Sequence, residues 1–270
     1  QVTTMESFAE LSCKFNEKGD ISPRTLERLG IAYGDIYASA EHIVAISLAT
    51  KEENQAQVAV LPFCHTVEAK ALGADICPGD ETAGPRPGHY TCTKLDDLRI
   101  GSLLDDPEIQ RLLQACRLLK EQGETVCYLI NGPISILSCL MNLALVFKTW
   151  RKDPERLKEL FAQMNASLLE YLEAVRDAGA DIIFFADPAG SPSILGPAYT
   201  TFMAQEALTP FLQQALTRCQ GQQLLATCPL IMAALTHCQL AAKAAGQDGD
   251  LVCVCMKHMP SKPVKVMKLC

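Results

Sequence analysis

Four apolar runs in this chain end on residues whose side chains can do chemistry. Residues 57–63 (QVAVLPF) lead into Cys64-His65, with Glu68 three residues further on. Residues 126–130 lead into Asn131-Gly132-Pro133, residues 180–186 into Asp187-Pro188, and residues 223–227 into Cys228. A carboxylate at Asp187 or Glu68 can orient a ligand or accept a proton. Asn131 can donate and accept hydrogen bonds, and the His65 imidazole can move a proton or ligate a metal. Each also has a plainer reading. Asp187 can be a loop cap bonding backbone N–H groups beside Pro188. Glu68 can be a first-turn acid complementing a helix dipole, and Cys64-His65 a buried thiol beside a helix-entry imidazole.

Chemistry at run ends requires elements that bring those ends together. Short apolar runs bounded by turn residues read as buried strands. Between them lie helical patterns. Residues 25–48 carry apolar positions Leu26, Leu29, Ile31, Ile36 and Ile43. Asp106-Pro107 and Asp153-Pro154 mark helix starts, an Asp cap followed by Pro in the first turn. The pattern predicts helices over 135–150, 201–219 and 229–245, a loop over 79–88, and a last strand over 251–256. Repeated strand–helix units without hairpin signals argue for a parallel sheet, with a lysine-rich tail after residue 257 as a solvated edge. Five strands are legible. The expected fold is therefore α/β, a (β/α)8 TIM-type barrel, compact or incomplete. It forms one domain over 1–270, with a helical segment at 1–55 and the barrel at 56–270. In such barrels ligands sit at the C-terminal ends of the strands, where Asp187, Asn131 and His65 stand.

Composition narrows the partners. Lys and Arg total 24 against 31 Asp and Glu, giving a net charge of −7. With no basic block interleaved with aromatics, nucleic acid is not an expected partner. No apolar run reaches the length of a membrane span. Residues 1–12 lack the basic and apolar regions of a signal peptide. Thirteen cysteines, scattered through apolar runs, read as thiols of a reducing cytoplasm rather than as a disulfide framework.

Four segments taken together resemble the uroporphyrinogen decarboxylase superfamily, and within it the corrinoid methyltransferase branch. They are LPFCHTVEA from Leu61 with Gly73; NGPISIL from Asn131; DAGAD from Asp177 leading to Asp187-Pro188; and Leu195-Gly196-Pro197. The resemblance runs from about Gln57 to Cys228. It implies a (β/α)8 barrel with its site in the mouth. There a methyl group moves between a methylcobamide on a corrinoid protein and a small acceptor. It implies roles for Asp187, Glu68 and Asn131 in catalysis. His65 and Tyr199 would face the corrinoid, with Tyr90 and Phe202 as further walls. The decarboxylase branch needs an Arg-rich N-terminal motif, and residues 1–34 hold only Arg24 and Arg28.

The branch also holds zinc through a His-x-Cys pair and a distal Cys. Here the corresponding triplet is Ala226-Thr227-Cys228. The metal candidates are Cys228 with Cys255 or Cys253, completed by His65, His237, His258 or water. Core thiols are the plainer account. Loss of the His at Ala226 leads to the expectation that zinc binds weakly or not at all. The expected function is corrinoid-dependent methyl transfer in the cytoplasm. The alternatives are a non-catalytic corrinoid-binding member and a carboxy-lyase acting on a tetrapyrrole-like acid.

Overall fold

A computed structural model describes residues 21–219, 223–243, 251–253 and 265–269. The first helices are Pro23–Leu29 and Ala40–Glu53. The single helix expected over 25–48 is thus broken. Gly30 takes the left-handed conformation (φ 66°) that ends the first helix, and the Ser39 side chain starts the second by accepting the His42 N–H. Strand β1 (Ala59–Leu61) follows, then the short helix Val67–Ala71 that carries Glu68. Strands β2 (Ile76–Cys77) and β3 (Arg86–Pro87) pair antiparallel across the stretch expected to be loop alone. This hairpin went unread because each strand is two residues long, too short for any periodicity.

The middle of the chain follows expectation more closely. Asp106 caps the helix Pro107–Glu121 by accepting from the N–H groups of Glu108 and Ile109 at 2.8 and 3.0 Å. Strand β4 (Val126–Asn131) is buried along its whole length. After it come two helices rather than one, Pro133–Leu140 and Leu143–Lys152, bent by 116°. Asn142 sits in the break, and its side chain accepts the Ala144 N–H and restarts the helix. The helix Pro154–Asp177 leads through Gly179 (φ 93°) to strand β5 (Ile182–Ala186). Residues expected as one helix over 201–219 form Pro197–Met203, a π-helical turn over Ala204–Leu208, and Thr209–Cys219. Strand β6 (Leu224–Thr227) precedes the helix Pro229–His237. That helix stops short of residue 245 because Gln239 adopts a positive φ of 59°, and the chain turns into strand β7 (Ala241–Lys243). Strands β8 (Leu251–Cys253) and β9 (Lys265–Leu269) complete the described elements.

The main sheet runs β1-β4-β5-β6-β8-β9-β7. Its first five strands are parallel and stand in chain order, as expected for a barrel rather than for a doubly wound sheet. β9 is antiparallel to both β8 and β7, which the expectation of a purely parallel sheet missed. Among the described residues the sheet does not close, and β1 and β7 are its ends. Register defines its faces. Leu129, Phe184 and Ala226 lie side by side, and so do Asn131 and Ala186. Phe185 points the other way, stacking on Phe211 of the helix Thr209–Cys219 at 4.5 Å. Among the described residues no single helix is long and apolar enough to cross a membrane.

Candidate functional site

Parallel strands place Cys64, His65, Asn131, Asp187 and Cys228 at one end of the sheet, beyond the C-terminal ends of β1, β4, β5 and β6. The cluster is drawn inward. Glu68, Asn131 and Cys228 are fully buried, Asp187 is 1% exposed and Cys64 6%.

Glu68 and Asn131 form one unit. The Asn131 backbone N–H donates to Glu68 Oε1 at 2.9 Å, and its side-chain Nδ2 donates to Oε2 at 2.6 Å. Burial raises the Glu68 pKa, and these two bonds oppose the rise. With Nδ2 committed to a carboxylate, Asn131 Oδ1 must accept, so the bond it shares with His65 Nδ1 is donated by the imidazole. The neutral His65 ring then carries its lone pair on Nε2. Burial lowers the His65 pKa against the Asn131 bond. Three residues from two strand ends are thus locked in one line: Glu68, Asn131, His65.

Asp187 anchors a second unit, capping a neighbouring helix and also taking the Gly190 N–H of its own loop. Its Oδ2 accepts the Ile134 N–H at 3.1 Å, and its Oδ1 accepts the Ser135 N–H and hydroxyl, both at 2.7 Å. Those are the first-turn groups of the helix Pro133–Leu140, whose N-terminal dipole favours an anion. Ser135 Oγ also accepts the Ala189 N–H at 3.1 Å, tying the loop after β5 to the same helix. Two glycines make the close approach possible. A Cβ at Gly132 would lie 2.5 Å from Asp187 Cβ, and one at Gly190 2.9 Å from its Cγ. Burial pushes the Asp187 carboxyl up to about 6, against the pull of Ser135 and the backbone donors.

The other candidates fall less centrally. Cys64 Sγ lies 3.2 Å from Thr66 Oγ1 and 3.4 Å from the Tyr37 hydroxyl, which accepts the Phe63 N–H, and burial raises the thiol's pKa. Tyr199 and Phe202 stack on each other at 5.9 Å, whereas Tyr90 is half exposed on the loop after β3. Sequence reasoning missed Ser135, Tyr37 and Gly190 as site residues, and took Gly132 only as part of the turn after Asn131. Ser135 had a local signal, since a hydroxyl in the first turn after Gly-Pro stands where a helix cap is needed. Tyr37 had none, being placed by the break between two helices.

The zinc set does not assemble among the described residues, where no group of three His, Cys, Asp or Glu converges. Ala226, where the family resemblance puts a His, is fully buried and sits in register between Phe184 and Val252. His237 ends its helix exposed, remote from the strand end. Cys255 and His258 lie outside the described residues, and of Cys253 only the backbone, in register with Thr227, is described. No disulfide joins the described cysteines, and burial raises the Cys116 thiol to about 12 and that of Cys139 to about 11. Those thiols behave as small core hydrophobes.

A run of parallel strands in chain order, with its polar side chains gathered beyond their C-terminal ends, defines an incomplete (β/α)-barrel protein. The chain belongs to the uroporphyrinogen decarboxylase (URO-D) family, whose model matches residues 22–237. Two curated relatives are methylcobamide:CoM methyltransferases MtaA of Methanosarcina barkeri, one of them from strain Fusaro / DSM 804. They are 25% identical over 209 and 216 residues, which cover 74% and 76% of this chain. The chain spans 60% and 59% of their lengths. A solved methyltransferase from Methanosarcina mazei shares the fold with a TM-score of 0.68 at 20% identity. The match covers 87% of this chain and 74% of that one.

Proposed function

We propose that this chain is a corrinoid-dependent methyltransferase-like protein. It would transfer a methyl group between a methylcobamide, presented by a corrinoid protein at the barrel mouth, and a small acceptor. The observation that carries the reading is the locked line Glu68–Asn131–His65 at the strand ends, in a chain similar to two methylcobamide:CoM methyltransferases. In this reading the His65 imidazole meets the reactants and Asn131 holds the atoms of that ring in place. Glu68 and Asp187 fix where those atoms stand, and the rate comes mainly from positioning. The acceptor's lone pair attacks the methyl carbon in line with the breaking cobalt–carbon bond, whose electron pair stays with cobalt. The acceptor's proton passes to solvent. No step runs through zinc, because the described residues do not supply its ligands.

Absorbance titration with methylcobalamin and a small thiol tests the proposal. Loss of the methylcobalamin spectrum with formation of the methyl thioether supports it. Binding without turnover selects instead a non-catalytic corrinoid-binding member, a reading that Ala226 in place of the family's His favours. Carbon dioxide release from a tetrapyrrole acid overturns both.

A further inference from the structure

The helix Leu143–Lys152 carries three cations and no acid. Lys148, Arg151 and Lys152 are exposed, and their spacing of three and four residues puts them on one face. Among the described residues none of them makes an ion pair or a side-chain hydrogen bond. The acids nearby are engaged elsewhere. Asp153 accepts the Arg156 N–H, Asp96 pairs with the Arg156 guanidinium, and Glu155 and Glu206 pair with Lys158. Arg151 and Lys152 stand in the last turn, where they complement the helix dipole, whereas Lys148 lies a turn earlier. The helix lies on the side of the strand ends. Its Phe147 and Trp150 meet Tyr199, in the excursion after β5, edge-on at 5.0 and 4.9 Å. Just before it, the Leu140 carbonyl accepts the Cys92 N–H at 3.0 Å from the excursion after β1. Those two excursions carry two of the three exposed large apolar side chains among the described residues, Tyr90 beside Cys92 and Ile194 just before Pro197. The third, Leu224, begins β6 at the opposite end of the sheet.

We propose that the face formed by Lys148, Arg151 and Lys152, with Tyr90 and Ile194 beside it, docks an acidic protein, and that this protein is the carrier of the methylcobamide. The face borders the mouth at which the methyl group must arrive. Its charge is opposite to that of an acidic partner, and it stands out in a chain of net charge −7. Unpaired cations at a rim speed the encounter with an anionic surface and fix its orientation. Three cations in so acidic a chain do not make a nucleic-acid site, which needs many phosphate contacts. A membrane surface fits no better. The apolar side of this helix is already packed, Val146 being buried and Phe147 and Trp150 lying on Tyr199, so no apolar face is left to enter lipid. Naming the partner as the methyl carrier rests on the methyl-transfer reading, while its acidity rests on the helix alone.

The test is calorimetric binding of a purified corrinoid protein of net negative charge, loaded with methylcobalamin. It is titrated into the full chain and into a variant combining Lys148→Gln, Arg151→Gln and Lys152→Gln. The wild type should bind, and raising the salt from about 50 to about 300 mM should weaken binding by roughly tenfold. The variant should bind roughly tenfold more weakly at the lower salt and lose little more at the higher. Methyl transfer from free methylcobalamin to a small thiol should be the same in both proteins, because the three side chains lie outside the strand-end cluster. Absence of binding to the wild type overturns the proposal, as does equal affinity with equal salt dependence in the two proteins. Binding of the wild type to phosphatidylglycerol vesicles, lost in the variant while the corrinoid protein is ignored, overturns it in favour of a lipid surface. The salt dependence of the wild type stands whether or not the variant folds. Transfer from free methylcobalamin without binding of the corrinoid protein sinks this docking surface and leaves the functional reading. Binding as expected without transfer from either source sinks the functional reading and leaves the surface in place.

Discussion

Asp187 holds opposing demands in a single side chain. Burial disfavours its charge, while three donors from the helix Pro133–Leu140 and the Gly190 N–H favour it, and the balance leaves its pKa at about 6, above the ordinary carboxylate range. The native protein then binds a proton more readily than the unfolded chain between roughly pH 4 and pH 6. The contribution of protonation is fully present below pH 4 and is lost as pH rises through 6. Its size is on the order of 2–3 kcal/mol. Urea unfolding followed across that window should show the loss in the wild type and a flatter profile in Asp187→Asn. An identical slope in both proteins would place the titration elsewhere. Gly132 bears on the same carboxylate. Gly132→Ala puts a Cβ 2.5–2.6 Å from three Asp187 atoms, so Asp187 must leave its cap. The expected loss is about 2 kcal/mol or more in urea unfolding, and a variant as stable as wild type would contradict the crowding.

At the scale of elements, the π-helical turn Ala204–Leu208 shows how one side chain supports an irregular segment. A π turn shifts the hydrogen-bond ladder by a residue, so a carbonyl needs a partner from elsewhere. Asn165, on the helix Pro154–Asp177, donates from Nδ2 to the Ala207 carbonyl at 2.9 Å. Asn165→Ala leaves that carbonyl without this donor inside the protein, at a cost of roughly 1–3 kcal/mol. Chemical denaturation measures it. A change below about 0.5 kcal/mol, typical of a surface substitution, would mean the turn stands without Asn165.

For the whole molecule, metal content is the measurement that separates this chain from the pattern its resemblance implies. A tetrahedral zinc site takes about three protein ligands and one open position. At Ala226 the chain offers only a buried methyl group, on a strand residue in register with Phe184 and Val252. Protein purified without chelator should carry far less than one equivalent of zinc, and Cys228→Ala should leave that content unchanged. About one zinc per chain, lost on that substitution, would show that a site assembles here after all.

The run of strands, and the end of each at which chemistry can lie, were legible from the order of the residues. Apolar runs ending in Asn131 and Asp187 are local signals. Five such runs did become the parallel strands β1, β4, β5, β6 and β8, because each is short, apolar and followed by a turn. Capping was equally legible at Asp106 and Asp153, since a cap acts within its own first turn. What lay beyond reach depends on distant partners. The bend between Pro133–Leu140 and Leu143–Lys152, the antiparallel β9 and the π turn are set by packing across the chain rather than by periodicity. The same holds for roles. Glu68 binds Asn131 from 63 residues away, and Asp187 caps a helix that begins more than 50 residues before it. A single sequence shows that these carboxylates stand at strand and helix ends. Which donors meet them is set by packing between distant segments, because a buried carboxylate takes its role from the N–H and O–H groups that replace its water.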